Sequence, residues 1–166
     1  MSGDDDSDRL SSPACSADEA DAAYMGYASR DEIVAFLNLL LEAERAGARV
    51  TLKTAIEATE PAMRELAGSI HRDEAHWCAV LFDALALLEA APSRRVGEFY
   101  DKAMAITDVQ MRLAFLNKGQ AWVVNKLREM LPKVRDEELY RQLDAMLRSH
   151  ELNIDRVEHS GLAKSR

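Results

Sequence analysis

Apolar side chains recur at three- and four-residue steps through four long stretches of this chain, and each run carries one strongly polar residue near its middle. The first run is Ile33, Leu37, Leu40, Glu44, Gly47, Thr51 and Ala55. The second is Met63, Leu66, Ile70, Glu74, Trp77, Leu81, Leu85 and Leu88. The third is Val109, Leu113, Leu116, Gln120, Val124, Leu127 and Leu131, and the fourth is Leu139, Leu143, Met146, His150, Ile154 and Val157. A period near 3.6 residues predicts amphipathic helices. Ser29 with Glu32 has capping-box spacing, so helix one is expected from there to about Ala58. Thr59 and Pro61 open helix two, which should end near Ala91 and Pro92. Thr107 with Gln110 repeats the capping spacing for helix three, Pro132 closes it, and Asp136 can cap helix four. The stretch from Pro92 to Ile106 is a longer connection with room for a short helix over Glu98 to Ala105.

Short links after helices one and three make each pair an antiparallel hairpin, and the longer connection can carry the chain along the body between them. The fold expected is therefore all-α, an antiparallel four-helix bundle over residues 24–160 with a long connection between helices 2 and 3. Glu44 and Glu74 are 30 residues apart, as are Gln120 and His150, and the two pairs are offset by 76. Each pair is centred on its own turn, near Thr59 and near Arg135. All four side chains then lie about 22 Å from a turn at helical rise and can meet at one level of the core. The same offset relates Leu37 to Leu113, Leu40 to Leu116 and Ile70 to Met146, as if the halves were two copies of one hairpin.

Composition agrees with helix and narrows the chemistry. With 166 residues, 48% of them hydrophobic, and only 7 Gly and 4 Pro, the chain suits one helical domain better than a turn-rich sheet protein. Residues 1–23 are rich in Asp, Ser and Ala and read as a disordered acidic tail, and residues 161–166 as a polar tail. The net charge of -8 and scattered basic residues argue against nucleic acid as a partner. No apolar run approaches the roughly 20 residues of a membrane span, and the acidic start lacks the pattern of a signal peptide, so no membrane and a cytoplasmic location are expected. Cys15 and Cys78 suggest no disulfide framework, with Cys78 read as a small core residue. No phosphate loop or nucleophile motif stands out.

Burying a carboxylate requires a cation, a proton or a hydrogen-bonding partner. The layout resembles that of the ferritin-like superfamily, including rubrerythrin-type proteins, over about residues 30–158. Leu39-Leu40-Leu41-Glu42-Ala43-Glu44-Arg45-Ala46 is similar to that family's first-helix glutamate segment, and Asp73-Glu74-Ala75-His76 to its second-helix carboxylate and histidine segment. The resemblance implies a bundle core holding two iron or manganese ions through four carboxylates and two histidines, for oxygen or peroxide chemistry or for iron storage. The chain departs from that pattern. Trp77 stands where a histidine should follow Glu74, Gln120 replaces a bridging glutamate, His150 replaces another, and Asn153 occupies a histidine place.

Two readings of the ring stay open. In the first it is a reduced, mononuclear site in which Glu44, Glu74 and His150 bind one Fe or Mn ion, ahead of Zn, and leave a position open for a small ligand. Gln120, Asp73, His76 and Asn153 are then weak or outer ligands. In the second, no ion is bound, the polar ring satisfies itself, and the protein is a non-catalytic helical module, such as a homodimer or a partner-binding protein. Phe36, Phe82, Phe115 and Trp122 are candidate contact residues. An inward-reaching Arg45, Arg72 or Lys118 would fill the ring and exclude a metal. Glu42, about 200° round the helix from Glu44, is expected in solvent with His71 and His159.

Overall fold

The computed structural model describes residues 24–161. Among these residues every regular element is helical: α1 (Arg30–Glu57), α2 (Pro61–Leu87), a short α3 (Phe99–Met104), α4 (Val109–Met130), a 3-10 turn (Leu131–Lys133) and α5 (Glu137–His159). The acidic tail with Cys15, and the polar tail beyond Gly161, lie outside the described residues.

Local chemistry sets the helix ends. Ser29 and Glu32 form the capping box that opens α1: the Glu32 amide donates to Ser29 Oγ at 3.2 Å, and the Ser29 amide to Glu32 Oε2 at 2.7 Å. Pro61 occupies the first turn of α2. Asp136 caps α5 by accepting from the Leu139 amide at 2.7 Å. Two expected boundaries move. Asp108 rather than Thr107 caps α4, its carboxylate accepting from the Met111 amide at 2.7 Å. A carboxylate facing free amides at a helix N-terminus also gains from the helix dipole, which favours Asp over the neighbouring Thr. Helix α2 stops at Leu87, ahead of Ala91. Glu89 takes a φ of 52°, and the Glu89 and Ala90 amides turn back to Ala86 and Leu85 in the hydrogen-bond pattern of a Schellman stop.

The link from Ala58 to Glu60 folds α2 back along α1, and the 3-10 turn with the following loop folds α5 back along α4. α1 also packs on α4, and α2 on α5, so each long helix has two long neighbours. The connection after α2 runs along the outer side of α1. Arg30 holds the Leu88 carbonyl at 2.5 Å, Asn38 and Glu42 hold Ser93, Arg45 holds the Ser93 carbonyl, and the Gly97 amide reaches the Glu42 carbonyl at 3.4 Å. Glu42 is thus part of this strap. At the far end Arg112 of α4 pairs with Glu57 of α1 at 2.6 Å, and at the near end the Ala28 amide donates to the Lys133 carbonyl. α4 therefore runs antiparallel to α1.

The core forms two apolar blocks. One contains Leu37, Leu40, Leu81, Leu85, Leu127, Leu143 and Met146, and the other Val50, Leu66, Ile70, Leu113, Leu116 and Val157. Glu44, Glu74, Gln120 and His150 are buried where the blocks meet. Phe36, expected as a contact residue, belongs to the first block. Phe115 stacks on Phe99, with ring centroids 5.1 Å apart, whereas Phe82 and Trp122 are exposed. On α5 the stripe drifts: Asn153 is buried and Ile154 only half-buried.

Candidate metal centre

One polar side chain from each long helix enters the junction between the apolar blocks. The bonds join diagonal helices: His150 of α5 lies 3.0 Å from Glu44 of α1 through Nε2 and Oε1, and Gln120 of α4 donates to Glu74 Oε1 of α2. Contacts along both diagonals require the side chains to meet near the axis. Glu44, Glu74 and His150 each place a ligand atom within 4.8 Å of the other two. Donors bound at ~2.1 Å to one ion stand ~3.4 Å apart at tetrahedral angles and up to ~4.2 Å apart when opposed. The 4.8 Å limit on the triad's separations lies a little above that range.

His150 is oriented by its own helix. Nδ1 lies 2.9 Å from the Met146 carbonyl, which can only accept, so Nδ1 carries the hydrogen. In the neutral ring Nε2 then presents its lone pair towards Glu44. This is the tautomer and backbone anchoring that metal-binding histidines use. Glu74 is accommodated by Gly47, one turn beyond Glu44. A Cβ at that position would stand 2.6 Å from the Glu74 Cδ and 2.8 Å from Oε1.

The electrostatics call for a positive partner. Burial pushes the Glu44 carboxyl up to about 8. Burial first, and then the Glu44 charge, hold Glu74 well above the usual carboxylate range, against the opposing effects of His150 and Gln120. Glu44 Oε2 and Gln120 Oε1 are buried and lack a donor. Oxygen lone pairs left bare beside two carboxylates are satisfied by a cation or by protons shared between the acids.

The remaining candidates fall elsewhere. His76 is exposed and packs edge-on against Trp77, while Asp73 is half-buried outside the triad. Each residue turns a helix by about 100°, so Asp73 and His76 lie about 100° and 200° from Glu74. Asn153 is buried, but its side chain accepts from Arg156 at 3.4 Å rather than joining the ring. No cation occupies the ring among the described residues. Arg45 binds the strap, Arg72 faces Glu65 at 3.5 Å in solvent, and Lys118 is exposed. His71 is half-buried, with Nδ1 at 2.8 Å from the Ala48 carbonyl, and His159 is exposed. Cys78 is half-buried outside the donor group, and burial followed by the two glutamates pushes its thiol up to about 12. No described helix is long and apolar enough to cross a membrane.

Sequence periodicity did not reveal the approach to the ring. A cavity of about 490 Å³ opens between α1 and α4 beneath the strap and has Glu44, Gly47, Glu74 and Gln120 at its inner end. Phe99 lines it and packs against Gly119, where a Cβ would come 2.9 Å from the ring. Only the short predicted helix at Glu98 to Ala105 hinted that this connection had a structural role.

A family model described as a domain of unknown function (DUF6306) matches residues 31–159, and the chain belongs to that family. No curated protein and no solved structure matches the chain.

Proposed function

We propose that the chain is a ferritin-like helical bundle whose core binds one divalent transition ion through Glu44, Glu74 and His150, with Gln120 beside it. The observation that carries this reading is the buried Glu-Glu-His triad, together with the donorless Glu44 Oε2. Two carboxylates neutralise one divalent cation, and a neutral imidazole adds a nitrogen donor without adding charge. Oxygen and imidazole donors suit Fe, Mn or Zn, and the resemblance to the ferritin-like superfamily favours Fe or Mn. The missing bridging carboxylates leave too little negative charge for a second ion. The strap along α1 and the antiparallel neighbours support the ferritin-like arrangement.

A bound Fe or Mn ion held by Glu44, Glu74 and His150 would supply a redox-active Lewis acid next to the cavity, suited to oxygen- or peroxide-linked chemistry. The chain's own residues prepare that site. Met146 holds the His150 ring by its Nδ1, Gly47 admits the Glu74 carboxylate, and Gln120 holds Glu74 by its amide. The two apolar blocks keep bulk water from the remaining sides of the ring.

Metal analysis of untagged protein purified without chelator tests this reading. The expected result is about one equivalent of Fe or Mn per chain, lost in Glu44→Ala and His150→Ala, with melting that rises as the ion is titrated in. Protein that carries no metal after aerobic and anaerobic purification, and whose melting ignores added iron and manganese, would instead have a proton-sharing ring in a structural module.

A further inference from the structure

The cavity leading to the ring has a charge pattern of its own. Its walls are apolar: Leu39 and Ala43 from α1, Phe99 from α3, and Phe115, Leu116 and Val123 from α4. Four charged side chains border it, and three are already matched. Glu42 faces Arg95 at 3.3 Å, and Glu98 faces Lys102 at 3.3 Å. Lys118 is left at the mouth with no acidic partner among the described residues. The inner end contains two glutamates and the buried, donorless Oε1 of Gln120. A volume of about 490 Å³ falls within the range of small-molecule pockets.

We infer that this cavity binds an amphiphilic monocarboxylate, with its carboxylate at Lys118 and its alkyl or aryl body pointing towards the ring. The opposite orientation would strip water from the ligand's carboxylate at the buried inner end of the cavity, away from Lys118, which is costly for a charged group. At the mouth the anion meets an unpaired ammonium and stays hydrated, while its apolar body displaces water from apolar walls. The inference rests on the proposed metal reading for what the buried end of the ligand faces; the fit of the ligand to the cavity does not.

Calorimetric titration of the full chain, metal-free and loaded with Mn2+, uses decanoate and 1-decanol as probes below their aggregation limits. Decanoate is expected to bind once per chain, and decanol up to about fivefold more weakly, the factor an exposed ion pair of up to about 1 kcal/mol supplies. Lys118→Glu should weaken decanoate by at least about that factor and leave decanol unchanged. Ala43→Phe should weaken both by filling the cavity, and Lys118→Glu should not alter Mn2+ uptake. Lys118 is exposed, so its substitution leaves the fold intact. Absence of decanoate binding, equal binding of the two probes, or indifference of decanoate to Lys118→Glu overturns the inference. Mn2+ uptake without decanoate binding removes the cavity assignment alone, and decanoate binding without Mn2+ uptake removes the metal reading alone.

Discussion

Gly47 and Gly68 are both interior helix positions, yet they differ in what a methyl group would meet. At Gly47 it would strike the Glu74 carboxylate, which the core holds in place. At Gly68 the nearest atom is the end of the flexible Arg72 side chain, 3.9 Å away. Replacing glycine by alanine inside a helix normally stabilises by up to about 1 kcal/mol. Gly68→Ala should therefore raise the urea midpoint. At Gly47 the same gain competes with overpacking against a buried charged group, typically about 1–3 kcal/mol, and the clash should win. Gly47→Ala is expected to lower the midpoint and to weaken metal binding by displacing Glu74. If both substitutions stabilise, the carboxylate does not need the bare backbone and its position in the ring is wrong.

At the scale of elements, the strap and α3 roof the cavity. Phe99 is seated between Phe115 and the bare backbone of Gly119. Gly119→Ala should lift Phe99 and loosen residues 93–104, while α1 and α2 remain held by their own core contacts. Hydrogen exchange should then accelerate over 93–104 and stay unchanged in the α1–α2 hairpin. Uniform acceleration would mean that the strap is not a separable unit. The long helices were legible in the sequence because their apolar period is long and their caps are conventional. The ring was legible because a polar side chain centred in an apolar stripe is carried into the core along with its neighbours. The strap was not, since it is built from side-chain to backbone bonds of Asn38, Glu42 and Arg45, which read as ordinary surface residues. The end of α2 was hidden because Glu89, not glycine, takes the left-handed position. Arg112 was missed for a related reason: it is 3% exposed, but its charge is met by Glu57 and its Nε by the Ile106 carbonyl, neither of which the apolar stripe marks. The cavity also depends on packing between α1, α3 and α4, which no single stripe encodes.

For the whole molecule, the ring makes stability a function of pH, and a bound divalent ion would reduce that dependence. In the metal-free chain burial pushes the Glu44 carboxyl up from its ordinary 4.5 to about 8, and burial also raises Glu74. Below the ordinary value both states hold these protons, and the folded chain bears no extra cost. As pH rises towards 8 the unfolded chain has released protons that the folded chain still binds. Stability is lost across that window, at up to about 1.4 kcal/mol per pH unit for each carboxyl. A divalent ion in the ring would replace the protons and neutralise the carboxylates, so its binding would release protons and strengthen as pH rises. The urea midpoint of metal-free protein should therefore fall between about pH 5 and 8. Saturating Mn2+ should restore most of that loss at the upper end and little at the lower end, and Glu44→Gln should flatten the metal-free slope while reducing the Mn2+ effect. A metal-free midpoint that rises through this window would show that the carboxylates are ionised and already paired inside the fold. That outcome would remove the electrostatic need that makes the ring a cation site.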